Sequence, residues 1–197
     1  KYIISEKQAG QEIKTFLKGI KMSASLIKQL KKAPDGILVN GTHQNVLYIL
    51  MENDILELNY ADTKEDENEF LEPVNIPIEI IFEDDNITVV NKPYNMPTHE
   101  SINNRGNSLA NALAYKYKNK PYVFRATNRL DKDTSGVVIT ANNKFYSAIL
   151  SNKIRDGLIQ KSYIAVVEGK LEGNGKIEAP IDRVGESIIK REVREDG

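Results

Sequence analysis

Residues 61–70 read ADTKEDENEF, and this stretch limits how the rest of the chain can fold. A run with so little apolar content and so many carboxylates buries too little surface to offset the entropy of ordering it. It reads as a solvated linker. It divides the chain into a head of residues 1–60, a linker of residues 61–73 and a body of residues 74–197. Charge follows the same division. Residues 61–73 carry Asp62, Glu65, Asp66, Glu67, Glu69 and Glu72 against Lys64, a balance of −5. Residues 1–33 carry eight lysines against Glu6 and Glu12, a balance of +6. The net charge of −1 hides this asymmetry, and the asymmetry bears more on partners than the total does.

Hydrophobic residues make up 40% of the 197 positions, enough for a packed core. The absence of cysteine excludes disulfides and thiolate metal sites. His43 and His99 are far apart and lack ligand spacing, so neither a metal nor a cofactor is expected. No run approaches the ~18 apolar residues of a membrane span, and no signal-peptide pattern opens the chain. The expectation is a cytoplasmic protein, monomeric and without membrane contact.

In the head, Ile13, Phe16, Leu17 and Ile20 recur at helical spacing. A second helix starts at Ser23 or Ser25, either of which can cap it, with Leu26, Ile27 and Leu30 on its apolar face. Ile37 to Val39 reads as a strand ending in the tight turn Asn40-Gly41, and Ile55 to Leu58 as another. The body opens with a hairpin, Ile78 to Phe82 and Ile87 to Asn91 around a polar turn. Residues 92–97 hold two prolines and are irregular. Ser108 caps a helix to about Lys118, and residues 142–154 form another with Tyr146, Ile149, Leu150 and Ile154 inward. Residues 161–169 and 175–182 read as strands. Strands and helices are interspersed without strict alternation. The expected class is α+β, with a small N-terminal α/β domain and a mixed, largely antiparallel sheet with flanking helices.

Asn128-Arg129-Leu130-Asp131-Lys132-Asp133-Thr134-Ser135-Gly136 runs straight into Val137-Val138-Ile139-Thr140-Ala141. This places a carboxylate at the lip of a sheet with a guanidinium two residues away. A nearby positive charge favours the ionised form, and an ionised Asp is a nucleophile or base. Two other readings compete. One is a polar loop with a surface ion pair of little energetic value. The other is a phospho-aspartyl hydrolase loop, with Asp131 and Asp133 as D-x-D. That loop should follow a buried hydrophobic strand, whereas here the hydrophobic run comes after the motif.

The motif resembles that of the RluA-type pseudouridine synthases. Two further segments match in order: Asn91-Lys92-Pro93 with Met96-Pro97, and Lys161-x-Tyr163-x-Ala165. Residues 10–58 resemble the small RNA-binding domain named after ribosomal protein S-four. The resemblance implies a pseudouridine synthase fold that isomerises uridine in RNA, ribosomal RNA foremost. It implies Asp131 as the essential carboxylate, with Arg129 keeping it ionised or filling the space of the extruded base. It implies Tyr163 stacking on the flipped uracil, against the alternative of a core aromatic. Lys18, Lys21, Lys28, Lys31 and Lys32 become phosphate contacts, against the alternative of a solvated helix face. Lys92 either contacts phosphate or buttresses the catalytic loop. Asn128, where many members carry His, can hydrogen-bond RNA but not titrate near neutral pH. The family's domain continues past the equivalent of Gly197, so the chain is expected to be a truncated, incomplete synthase. The competing function is a catalytically incomplete RNA-binding protein.

Overall fold

Hydrophobic spacing and local caps build the head. In the computed structural model, which describes residues 1–60, 62–67, 70–101, 105–170, 172–184 and 191–193, helix α1 spans Ile13–Gly19 and α2 spans Ala24–Lys32. Ile13, Phe16 and Leu17 of α1 and Leu26 and Leu30 of α2 are buried, on the faces their spacing predicts. Ser23 caps α2 by accepting the Leu26 N–H at 3.2 Å. Both helices share a core with an antiparallel sheet in the order β1 (Tyr2–Ile3), β4 (Ile55–Leu58), β2 (Ile37–Val39), β3 (Thr42–His43). Asn40 (φ +51°) and Gly41 (φ +79°) turn β2 into β3, both left-handed as the tightest hairpin turn requires. Strand β1 adds to the expected head.

The body carries a second antiparallel sheet, β5 (Glu79–Glu83), β6 (Ile87–Lys92) and β7 (Gly136–Ala141), in that order. The expected hairpin forms, and Asp84 Oδ1 accepts the N–H groups of Asn86 and Ile87 at its turn. Side chains alternate along the strands, so Thr88, Val90 and Lys92 of β6 and Val138 and Thr140 of β7 are buried. Helix α3 (Leu109–Lys116) is capped by Ser108 and sets Leu109 and Leu113 against Val90, Val138 and Leu130. Helix α4 (Lys144–Arg155), capped by Asn143, follows β7.

The acidic stretch departs from its expected role as a solvated linker. Asp62 takes a bidentate pair of hydrogen bonds from Arg125, both 2.7 Å, with its side chain 3% exposed. Asp66 pairs with Lys144 at 2.7 Å, and Glu67 accepts the Tyr122 N–H at 3.1 Å. The cations lie 63 and 78 positions downstream, so a local window of composition misses them. Ala61, Asn68 and Glu69 fall outside the described residues. Phe145 of α4 is buried in the head's core, its ring 5.4 Å from that of Tyr60. Head and most of the body thus form one compact unit, Lys1–Gln160, and the chain divides after Gln160 rather than at residue 61.

The second unit, Lys161–Gly197, holds an antiparallel pair, β8 (Ile181–Arg183) and β9 (Arg191–Val193). The strand expected over residues 161–169 does not form, and of the one expected over 175–182 only the end does. A strand exists only where another backbone takes up its N–H and C=O groups. Among the described residues nothing pairs with 161–169, and Ile164 and Val166 are fully exposed. Of the closing segment 188–197, only 191–193 are described.

Candidate active site and basic groove

Strand pairing brings two of the three sequence motifs together. In the β6–β7 ladder Lys92 sits opposite Gly136 and Asn91 opposite Val137. The irregular segment after β6 and the loop before β7 therefore emerge at the same end of the sheet. Gly136 has φ +127°, a conformation only glycine adopts readily. Upstream, residues 125–128 lie along the free edge of β7. Ala141 N–H donates to Arg125 O at 2.9 Å and Thr127 N–H to Ile139 O at 2.8 Å. Asn128 extends this ladder with its side chain: Nδ2 donates to Val137 O and Oδ1 accepts from Ile139 N–H, both at 3.0 Å. Its carboxamide imitates a peptide group and pins the loop to the edge of β7.

Leu130 is the loop's anchor, 9% exposed and packed with Val90, Met96 and Leu109. Arg129 and Asp131 flank it and are both exposed. They form no ion pair with one another among the described residues. The positive charge beneath the loop is Lys92, which is completely buried. Its ammonium donates to the carbonyls of Pro93 (3.0 Å), Met96 (2.5 Å) and Lys132 (3.2 Å). With no exposed surface and its donors turned to backbone, Lys92 is a buttress and not a phosphate contact. Burial lowers its pKa, against the opposing attraction of Asp133 and Asp131. Met96 N–H also donates to Lys132 O at 3.1 Å, tying the two loops directly.

Two residues were not anticipated. The Thr98 hydroxyl donates to Leu130 O at 2.8 Å and accepts Leu130 N–H at 3.2 Å. His99 meets Phe124 edge-on at 5.0 Å. Partial desolvation, then the Arg129 guanidinium, push its pKa below 6.5, which places a neutral imidazole beside the loop. The only sequence signal for either is proximity to Met96-Pro97. Tyr163 belongs to the second unit, where it is 61% exposed on irregular chain, not on a strand.

A separate groove of about 430 Å³ lies in the head. Lys14, Lys18, Lys28 and Lys31 line it, over an apolar floor that includes Ile27 and Val46. Lys18, Lys28 and Lys31 were expected to act together. Lys21 and Lys32 are exposed but outside this lining, and Lys14 joins it because one helical turn separates it from Lys18.

The family model for RNA pseudouridylate synthase matches residues 86–197, from β6 through the Asp131 loop to the end. The chain belongs to the RNA pseudouridylate synthase family. The chain is 33% identical over 190 residues to the uncharacterized RNA pseudouridine synthase YjbO of Bacillus subtilis (strain 168), covering 94% of the chain and 66% of the relative. It is 31% identical over 200 residues to YhcT of the same strain, covering 99% and 65%. It is 37% identical over 127 residues to the ribosomal large subunit pseudouridine synthase D of Xanthomonas campestris, covering 64% and 38%. The chain thus spans two thirds or less of these curated relatives. The similarity to the two Bacillus proteins extends through the head of this chain.

Proposed function

We propose that this chain belongs to an enzyme that isomerises uridine to pseudouridine in RNA, the large-subunit ribosomal RNA foremost. The observation that carries the reading is the exposed Asp131 carboxylate on a loop whose backbone is fixed on both sides, within the stretch matched by the family. The name of the Xanthomonas relative supports the choice of ribosomal RNA. The reaction breaks the C1′–N1 bond, turns the base and joins C5 to C1′. C5 loses a proton and N1 gains one, so no redox partner is needed. The uridine leaves its stack to expose C1′. Asp131 attacks C1′, adds to C6 or removes a sugar proton, each of which requires the carboxylate. Exposed Arg129 fills the vacated stack or faces the substrate's phosphate. Tyr163 stacks on the flipped ring.

The head acts as an RNA-binding domain of the ribosomal-S-four type. Four lysines around one groove attract phosphate and release counterions, and the apolar floor suits a ribose or base. A second reading, RNA binding without turnover, draws support from Tyr163 standing exposed outside any ladder.

The test incubates ribosomal RNA with wild-type protein and with Asp131→Asn, then maps pseudouridine chemically. New sites with wild type, none with the variant and RNA affinity within a fewfold are expected. Salt-sensitive binding with no sites from either protein selects the second reading.

A further inference from the structure

Asp131 is the residue next to Leu130, and the direction of its side chain follows the backbone path through Leu130. At Leu130 that path is held by one hydroxyl. Thr98 Oγ1 takes the Leu130 N–H at 3.2 Å and gives its own proton to Leu130 O at 2.8 Å. A single side-chain atom thereby occupies both backbone groups of one residue, as a neighbouring strand would. Thr98 is itself anchored: it is 3% exposed, and its carbonyl accepts the Ala110 N–H at 3.3 Å, at the start of α3. The loop is also tied at Asp131 itself, whose carbonyl accepts the Thr134 N–H at 3.1 Å, and on either side. Asn128 holds its entry to β7, and Lys132 O holds its exit to Met96 N–H and Lys92.

We propose that Thr98 is a positioning residue for the reaction, its hydroxyl setting the angle at which Asp131 meets the uridine. The inference rests on reading Asp131 as the reacting carboxylate. Without the hydroxyl the Leu130 N–H and C=O are left unpartnered in a buried setting, and the loop shifts to find new partners. A displacement of about 1 Å costs on the order of a hundredfold in rate for a group that must meet its substrate in a near-attack geometry. Because Thr98 does not touch the RNA in this scheme, binding should hardly change.

Thr98→Val keeps the shape and removes both hydrogen bonds, whereas Thr98→Ser keeps the hydroxyl and removes the methyl. The experiment measures kcat and KM for pseudouridine formation in ribosomal RNA, with thermal melting of each variant, alongside Asp131→Asn. Expected are a kcat at least about tenfold lower in Thr98→Val with KM within about twofold, and Thr98→Ser within about threefold of wild type in both. Should Thr98→Val lack a cooperative melting transition, Thr98→Ala replaces it under the same criteria. A Thr98→Val kcat within twofold of wild type overturns the proposal, as does a Thr98→Ser variant as slow as Thr98→Val. If Asp131→Asn is inactive while Thr98→Val is not slowed, only the positioning role fails. Retained activity in Asp131→Asn overturns the proposal together with the reading it rests on.

Discussion

A lysine beside two prolines near the Asp131 loop invites a phosphate, yet Lys92 points its ammonium into the protein. It gathers carbonyls from Pro93, Met96 and Lys132, and so holds the segment after β6 to the loop before β7. Replacing it with methionine keeps the aliphatic stem and leaves three carbonyls short of a donor. Lys92→Met should cost on the order of 3 kcal/mol, read as a melting temperature lower by roughly 6–12 °C. RNA affinity should stay within a fewfold, and a large loss of affinity without a change in melting would contradict the buttress role. The sequence left both uses of Lys92 open because the deciding partner, Lys132 O, lies 40 positions away. Asn128 is a similar case. Its type permits hydrogen bonding, but only the register of β7 reveals that the partners are backbone.

Capped helices and tight turns were legible because their determinants are local. Ser23 and Ser108 mark helix starts, Asn40-Gly41 marks a hairpin, and each residue stands within a few positions of what it satisfies. The acidic segment was misread because its partners are remote. Its 3₁₀ turn, Lys64–Asp66, presents Asp66 to Lys144 and to the backbone and hydroxyl of Thr63. The Lys144 hydrogen bond leads in holding the Asp66 carboxyl down from 3.8 to about 2, with desolvation opposing it. Between those two values the unfolded chain binds the proton that the folded chain refuses, so stability rises with pH across that interval. The Lys144 and Thr63 hydrogen bonds together contribute about 2 kcal/mol above pH 4, fading as pH falls toward 2. Melting curves of wild type and Asp66→Asn should therefore differ at pH 6 and converge near pH 2. Equal separation at both values would show that the ionised pair is not responsible. The expected strand over 161–169 failed for a related reason: β-propensity describes a residue, whereas pairing requires a second strand.

Across residues 1–160, the lysine groove and the proposed reacting carboxylate sit on different elements, the first on α1 and α2, the second on the loop before β7. Binding and turnover should separate accordingly. Replacing Lys14, Lys18, Lys28 and Lys31 together with glutamine should reduce the slope of log affinity against log salt by about three units, at roughly 0.7–0.9 per phosphate contact. The rate on saturating RNA should be unchanged, and an unaltered salt slope would place the RNA elsewhere. The seam between these regions carries a further consequence. Phe145 of α4 is seated in the head's core, and Arg125 and Lys144 of the body are answered by Asp62 and Asp66. A gene spliced at residue 61 would divide a shared core rather than a flexible joint. A head exchanged from another lineage, together with the acidic segment that follows it, would have to bring a socket for one aromatic ring and two carboxylates in register. Change in the head is therefore constrained by its fit to α4 and to Arg125.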